Sequence, residues 1–578
     1  MIRFIQFLLF FIIFQTLLAI STQFFGIFYF WIILGANIIF ILIMFILIGN
    51  KFFSTENLLP CIQKIDWVFF IVVVISIVSL FQVHYNYTGK FNMVNDALFQ
   101  YHEVKNMQYV YPYFSDEWYA VSLAKESINS HSLPLRNPFD NSFFPNLEMF
   151  FHSFIAEIVL LFRLDPITQY TILSIFINTL IIALAYLFLR INNVSKGPAS
   201  IASLLILYIT SASNLPGIWN LIPITMGIIL SLIGFCFLSQ NSLKMAGLSF
   251  LFGTLFYPPF FIFHFICLAV FILGLPKIKD KIWGFGKYIV ILLSFCIIFC
   301  IVLMLSPMNK VISFIFSHLF YRSFTGNFIP QFSFYYIIPW PAILFAIFGL
   351  AYVFKNKKWL LSQLGLGVIL WIFYSFSTFR IVIGFERIVF FTSIIVCLIS
   401  AFGMEKTFTV IPGLTRNPES VKKFWIPVCA GMTLAIFVAV IPFYTQGESW
   451  KELILTNSLI QADSIPMAPA NNYLTNDDLR VFKNISQKKF FSIPWKGTVI
   501  GITTGNYPVS TKGGTITMGS ENPIIYRQFL DFDCGKKSQF AKDRNLDYVY
   551  SMPFSCQGFE KVDESSEGFI LYKVIWEK

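Results

Sequence analysis

The sequence predicts an all-α polytopic membrane protein that ends in a small α/β domain. Three observations carry this. The chain has 578 residues, 57% of them hydrophobic and only 12% charged, with mean hydropathy +0.71; soluble domains carry about 25% charged residues. Apolar runs near the ~20 residues needed to cross a bilayer recur along most of the chain. From Tyr444 the composition turns soluble, and short β-rich runs alternate with helical or turn-like pieces.

In order, the runs are Ile5–Ile20, Phe25–Gly49, Trp67–His84, Thr168–Leu189, Pro198–Ser213, Ile218–Leu238, Ile289–Ser306, Phe332–Phe354, Trp359–Ser377, Gly384–Met404 and Ile426–Phe443. A broken pair, Met245–Phe256 and Pro259–Gly274, is interrupted at Tyr257-Pro258-Pro259, where proline removes a helix donor. That break is either an ordinary kink or a polar turn lining a cavity. Arg3 and the run after it have the outline of a signal peptide. A second run follows almost at once, which favours a retained hairpin.

Charge orients the bundle. Leu147–Leu164 is apolar enough to suggest a span but contains Glu148, His152, Glu157 and Arg163. If it crosses, Arg190, Lys196, Lys244 and the clusters around Lys279 and Lys357 fall outside; if it is an amphipathic helix on the outer surface, they fall inside, with Arg3, Lys51, Lys64, Lys406, Arg416 and Lys422. Positive residues concentrate in cytoplasmic loops, so the second arrangement is expected. It gives about thirteen transmembrane helices at ~20 residues each, the N-terminus in the cytoplasm, and the C-terminal domain outside.

The expected organisation is then a transmembrane hairpin over 1–65 and a membrane core over 66–404, with external loop 85–146 and surface helix 147–164. A cytoplasmic loop over 405–425, a last transmembrane helix over 426–444 and an extracytoplasmic α/β domain over 445–578 follow. Val410–Thr433 looks foreign to its surroundings and resembles peptides encoded by palindromic repeats inserted in some bacterial genomes. Such a connection would tolerate insertion and carry no chemistry.

The net charge, 41 Lys and Arg against 30 Asp and Glu, is +11. Cytoplasmic loops account for it, and no basic run interleaved with aromatics points to nucleic acid. Seven of the nine cysteines lie in or beside apolar segments, as small hydrophobes. Cys534 and Cys556 are the pair in the polar C-terminal part, where an oxidising compartment predicts a disulfide. No Cys/His spacing suggests zinc.

The chemistry-bearing stretch is Tyr85–Asn146, centred on Ser115-Asp116-Glu117-Trp118. Aromatic neighbours desolvate a carboxylate and raise its basicity. Asp116 and Glu117 also open an amphipathic run (Trp118, Val121, Leu123, Ile128) suited to the membrane surface, though charges in an exposed loop are more often merely solvated.

Ser115–Tyr119, Ser130–Phe139, Phe144–Leu147 and Phe151-His152 form an ordered series. It resembles the first external loop of the GT-C superfamily of integral-membrane glycosyltransferases, of the polyprenyl-phosphate-sugar-dependent kind. The architectural resemblance covers roughly Trp67–Met404, and the motif itself about Phe114–His152. It implies an inverting transferase acting on hexosyl or pentosyl units, with Asp116 as catalytic base and Glu117 beside it. The donor would be a polyprenyl-phosphate sugar held at membrane lipid; the acceptor would be an envelope glycan, lipid or protein. His152 matches a recurrent polar position that binds phosphate or acceptor, or else anchors its helix. Arg387, after Glu386, matches the charged start of a late span and would clamp the carrier phosphate, pair with Glu386 or snorkel. Arg322 and Lys310 are weaker phosphate candidates. No cofactor is certain; a divalent metal would rest on the lone set Asp96, His102 and Glu103. The C-terminal domain resembles the tails of some relatives, which implies acceptor recognition or a structural cap.

The sequence departs from the family in several ways. Two spans precede the one feeding the loop, about thirty residues separate His84 from Asp116, and the Tyr257-Pro258-Pro259 break lacks a basic residue. The competing readings are a transporter or flippase of lipid-linked envelope intermediates, a polymerase of them, and an inactive membrane scaffold. A transporter would place polar residues along several mid-membrane helices; here the acidic candidates cluster in one loop.

Overall fold

The computed structural model describes residues 1–52, 66–85, 87–93, 100–107, 110–112, 115–139, 143, 146–209, 217–274, 320–322, 338–376, 379–381, 384–413, 474–511, 523–566 and 568–575. Asp96, Lys310, the expected spans Ile289–Ser306 and Ile426–Phe443, and most of the insert-like stretch lie outside these residues.

The protein is mostly helical, with a small C-terminal sheet. α1 (Ile2–Phe24) and α2 (Phe30–Phe52) form the N-terminal hairpin, and α3 (Trp67–Tyr85) leads into strands β1 (Tyr87–Met93) and β2 (Gln100–Met107). Next come α4 (Ser115–Ser130), α5 (Met149–Phe162), α6 (Tyr170–Ile191) and α7 (Lys196–Leu205). α8 (Pro223–Ser239), α9 (Leu243–Phe256) and α10 (Phe261–Leu273) follow. β3 (Phe320–Arg322), α11 (Trp340–Asn356), α12 (Lys358–Phe376), β4 (Phe379–Ile381) and α13 (Phe385–Gly413) complete the bundle.

Among the described residues, Ile2–Phe24, Tyr170–Ile191 and Arg387–Thr407 are long and apolar enough to cross a membrane by length and composition; eight further apolar helices are shorter. The Tyr257-Pro258-Pro259 break is a 3-10 turn between α9 and α10. The expected span Pro198–Ser213 begins instead as the ten-residue α7, followed by a 3-10 turn that ends in extended backbone at Ile209.

At the centre of the bundle, α6 packs on α3, α7 and α8, and α13 packs on α7, α11 and α12. α11 and α13 approach closely because both carry glycine at the crossing. A Cβ on Gly403 would collide with the Phe345 carbonyl, and one on Gly349 with the Ile399 carbonyl. Small residues let backbones meet where apolar side chains gain little over lipid.

α5 differs from the half-exposed surface helix expected over 147–164. Its residues Phe151–Val159 are all buried, because α1, α2, α4, α8 and α9 surround it. Its 14 residues are too few for a membrane core about 30 Å thick at ~1.5 Å per residue.

The C-terminal domain contains α14 (Asn476–Val481), β5 (Lys489–Ser492), α15 (Pro494–Thr504), β6 (Tyr507–Pro508), α16 (Pro523–Asp531), α17 (Cys534–Asp543), β7 (Tyr548–Ser551), β8 (Phe559–Glu564) and β9 (Ile570–Val574). Its sheet order is β6-β5-β7-β9-β8; β6 and β7 run parallel to β5, and β9 is antiparallel to β7 and β8. Phe490, Phe491, Val549, Tyr550 and Leu571 fill its core. Buried Asp478 accepts from Lys496 Nζ at 2.6 Å and from the Tyr550 hydroxyl at 2.8 Å. Cys534 and Cys556 form a disulfide that ties α17 to the segment before β8. The domain rests on α4: α15 packs against it, and Lys125 Nζ donates to the Ile502 carbonyl at 2.9 Å.

Candidate active site

Asp116 and Glu117 sit in the first turn of α4, where a carboxylate is favoured by the positive end of the helix dipole. Adjacent helical positions face different directions, and here their surroundings differ sharply. Glu117 is 1% exposed. Its Oε1 accepts from the Leu221 backbone N–H at 2.8 Å and its Oε2 from Asn220 Nδ2 at 3.3 Å.

The loop that receives Glu117 is itself fixed. Ser174 Oγ donates to the Trp219 carbonyl at 2.6 Å, and Asn178 Nδ2 and Thr225 Oγ1 donate to the Asn220 carbonyl at 3.2 and 3.0 Å. The Tyr170 hydroxyl donates to the Leu221 carbonyl. A buried carboxylate needs such partners to stay where it is. Glu117 therefore fastens α4 to the entrance of α8.

Asp116 remains partly open, with 35% of its side chain exposed, and pairs through Oδ2 with Arg387 Nη2. Arg387 stands in the first turn of α13 and is 18% exposed. A guanidinium at the end of a membrane helix either snorkels to the interface or finds a partner, and here it has one. Its five donors form a fork that can hold a carboxylate and still reach an anion.

Glu148 is the third charged group. It precedes α5 as its N-cap. Burial pushes its carboxyl up to about 8, with the Asp116 charge adding to the rise and Arg387 opposing it. The starts of three helices thus bring the Asp116 carboxyl, a guanidinium and a carboxyl whose ionisation burial disfavours into one electrostatic neighbourhood. Helix N-termini also present partial positive charge, which favours an anion.

His152 lies one turn further along α5 and is 5% exposed. Burial pushes its imidazole down to about 3, offset in part by the Glu148 backbone. Its Nδ1 is 3.0 Å from Asn146 Nδ2 and 3.1 Å from Asn146 Oδ1. Asn146 also donates to the Pro134 carbonyl at 3.0 Å and accepts from the Glu148 N–H at 3.1 Å. These contacts give the ordered sequence series a structural meaning: Pro134, Asn146 and His152 clasp the loop and hold Glu148 in place.

Arg322 stands opposite Phe379 in the antiparallel pairing of β3 and β4. Its strand therefore runs beside the segment that leads into Arg387. His102 and Glu103 fall on β2, opposite Phe91 and Lys90 of β1. Among the described residues, no group of three or more His, Cys, Asp or Glu is placed to hold a metal ion.

Two participants were not among the sequence candidates. Glu148 served there only as an argument about topology, and Asn220 carries no motif. The one available signal was that Glu148 is a charged residue inside an otherwise apolar run.

No protein-family model and no curated protein matches the chain. In solved structures the chain is similar to the Archaeoglobus fulgidus oligosaccharyltransferase in its apo form, at 13% identity and TM-score 0.46, over 85% of this chain and 70% of that one. It is also similar to that enzyme tethered through a disulfide to an acceptor peptide containing the NVT sequon, at 13% identity and TM-score 0.45, over 85% and 69% of the two chains.

Proposed function

We propose that the protein is an inverting membrane glycosyltransferase of the GT-C kind, acting on hexosyl or pentosyl units. It moves a sugar from a polyprenyl-phosphate carrier to an envelope glycan, lipid or protein at the outer face of the bacterial cytoplasmic membrane. The observation that supports this is the pairing of Asp116 with Arg387 in the electrostatic neighbourhood of Glu148, whose carboxyl burial pushes up to about 8. It joins an accessible carboxylate and an anion-binding fork in one place.

In this reading the acceptor hydroxyl gives its proton to Asp116 as its oxygen bonds to the anomeric carbon. The bond from that carbon to the phosphate oxygen breaks, its electron pair leaving with the polyprenyl phosphate, and the configuration inverts. Arg387 bridges Asp116 and the carrier phosphate, stabilising the charge that develops on departure. Glu117 is a positioning residue that holds α4, and His152 supports the loop beneath Glu148. Arg322 is a second cation for the phosphate. The C-terminal domain, seated on α4, contributes to acceptor recognition from outside. In this reading the chain has about thirteen spans and a cytoplasmic N-terminus.

The test is reconstitution in vesicles with a labelled polyprenyl-phosphate sugar and an envelope acceptor fraction. The expected result is label transferred to the acceptor with release of polyprenyl phosphate. Movement of intact carrier between leaflets without transfer would instead support the transporter reading.

A further inference from the structure

The hairpin α1–α2 has no part in the chemistry set out above, yet it is fastened at three points, one in the acidic loop and two on α5. At the turn between the two helices, His131 Nδ1 lies 2.9 Å from the Phe28 carbonyl, and the His131 ring packs 4.2 Å from that of Tyr29. At the far end of α5, Arg163 adopts φ 51° and sets its guanidinium 3.9 Å from the Phe30 ring centroid. In the middle of α5, Glu157 is fully buried. The Gln15 amide meets it, one amide atom lying 2.5 Å from Glu157 Oε1, and Gln15 Nε2 donates to Asn37 Oδ1 at 2.5 Å. Asn37 Nδ2 donates to Glu157 Oε1 at 3.4 Å and to the Ile33 carbonyl at 2.9 Å.

His131, Glu157 and Arg163 are therefore each held to the hairpin, with Glu148 and His152 between the first two in sequence. Apolar packing specifies the position of one helix on another weakly where the surrounding lipid is equally apolar. A carboxyl met by two amides in a low dielectric specifies it strongly, because any slip of α5 leaves the buried Glu157 carboxyl without them.

We infer that the hairpin is a clamp for the acidic loop and that Glu157 is a positioning residue, whose contacts with Gln15 and Asn37 set where α5, and with it Glu148, stands against Asp116 and Arg387. The consequence for transfer rests on the function proposed above; the clamp itself does not.

The experiment compares wild type, Glu157→Leu and Glu157→Gln in the full chain in lipid nanodiscs, reading hydrogen exchange and transfer together. In Glu157→Leu, exchange over Met149–Phe162 should rise by about tenfold or more while α8 and α9 keep wild-type protection. Its kcat should fall by about tenfold, with KM for the donor within twofold of wild type, as expected for misplaced catalytic groups. Glu157→Gln, which keeps a hydrogen-bonding head, should recover most of both, and Asn37→Leu should reproduce the defect. Unchanged exchange over α5 in Glu157→Leu would overturn the clamp, and so would loss of protection throughout the bundle. Wild-type kcat despite loosened α5 would overturn the positioning role. A wild-type protein that transfers no sugar but shows the local exchange response would remove the proposed function and leave the clamp standing.

Discussion

Arg387, in the first turn of α13, and Asp116, in the first turn of α4, meet as an ion pair across 271 positions of sequence. The pair joins the late part of the bundle to the loop that the early part presents.

Arg387→Lys should separate charge from shape. Lysine keeps the charge but loses the fork that can hold Asp116 and a phosphate together. Loss of a hydrogen bond to a charged group costs about 1.5–3 kcal/mol, so KM for the donor should rise roughly ten- to hundredfold, and more in Arg387→Ala. Steady-state transfer at varied donor concentration reads this; an unchanged donor KM in both variants would remove Arg387 from the phosphate site.

Glu117 should behave as a fastening. Glu117→Leu leaves the Leu221 N–H and the Asn220 amide facing an apolar side chain. Each unsatisfied buried group costs about 1–3 kcal/mol, so the melting midpoint in detergent should drop. Wild-type stability together with complete loss of transfer would mean that Glu117 acts in the chemistry.

Glu148 gives the protein a pH dependence of defined sign. Its carboxyl is held near 8 in the folded chain, against an ordinary value of 4.5. The folded state therefore keeps a proton that the unfolded chain releases. Its contribution to stability is fully present below about 4.5, declines as pH rises toward 8 and is lost beyond it. Glu148→Gln removes this loss. Its midpoint should exceed that of wild type by a margin that widens from pH 5 to pH 8 and is level above. A constant margin in thermal melts across that window would contradict the assignment.

The disulfide closes a loop with a sequence separation of 22. Loop-closure entropy for that length is worth about 3 kcal/mol. Cys534→Ser with Cys556→Ser should destabilise the C-terminal domain by about that amount, while exchange protection of α6 and α8 stays unchanged.

Much of the fold was legible because the helices write themselves as apolar runs. Trp67–His84 became Trp67–Tyr85, and the proline break fell at the expected place. Asp116 and Arg387 stood out as charges beside apolar stretches, but nothing local said that they meet. The cradle of Glu117 was not legible, because a main-chain N–H at Leu221 has no letter of its own. The burial of α5 was missed for a related reason. Its charged residues suggested a wet face, whereas Glu157 is covered by amides from the hairpin, and only the tertiary arrangement brings those amides there.

The most direct measurement is sugar transfer from a labelled polyprenyl-phosphate donor by Asp116→Asn, at matched folded fraction and saturating donor. The account predicts a rate at least about a hundredfold below wild type, the usual contribution of a general base, with the melting midpoint little changed. Transfer at the wild-type rate would contradict it.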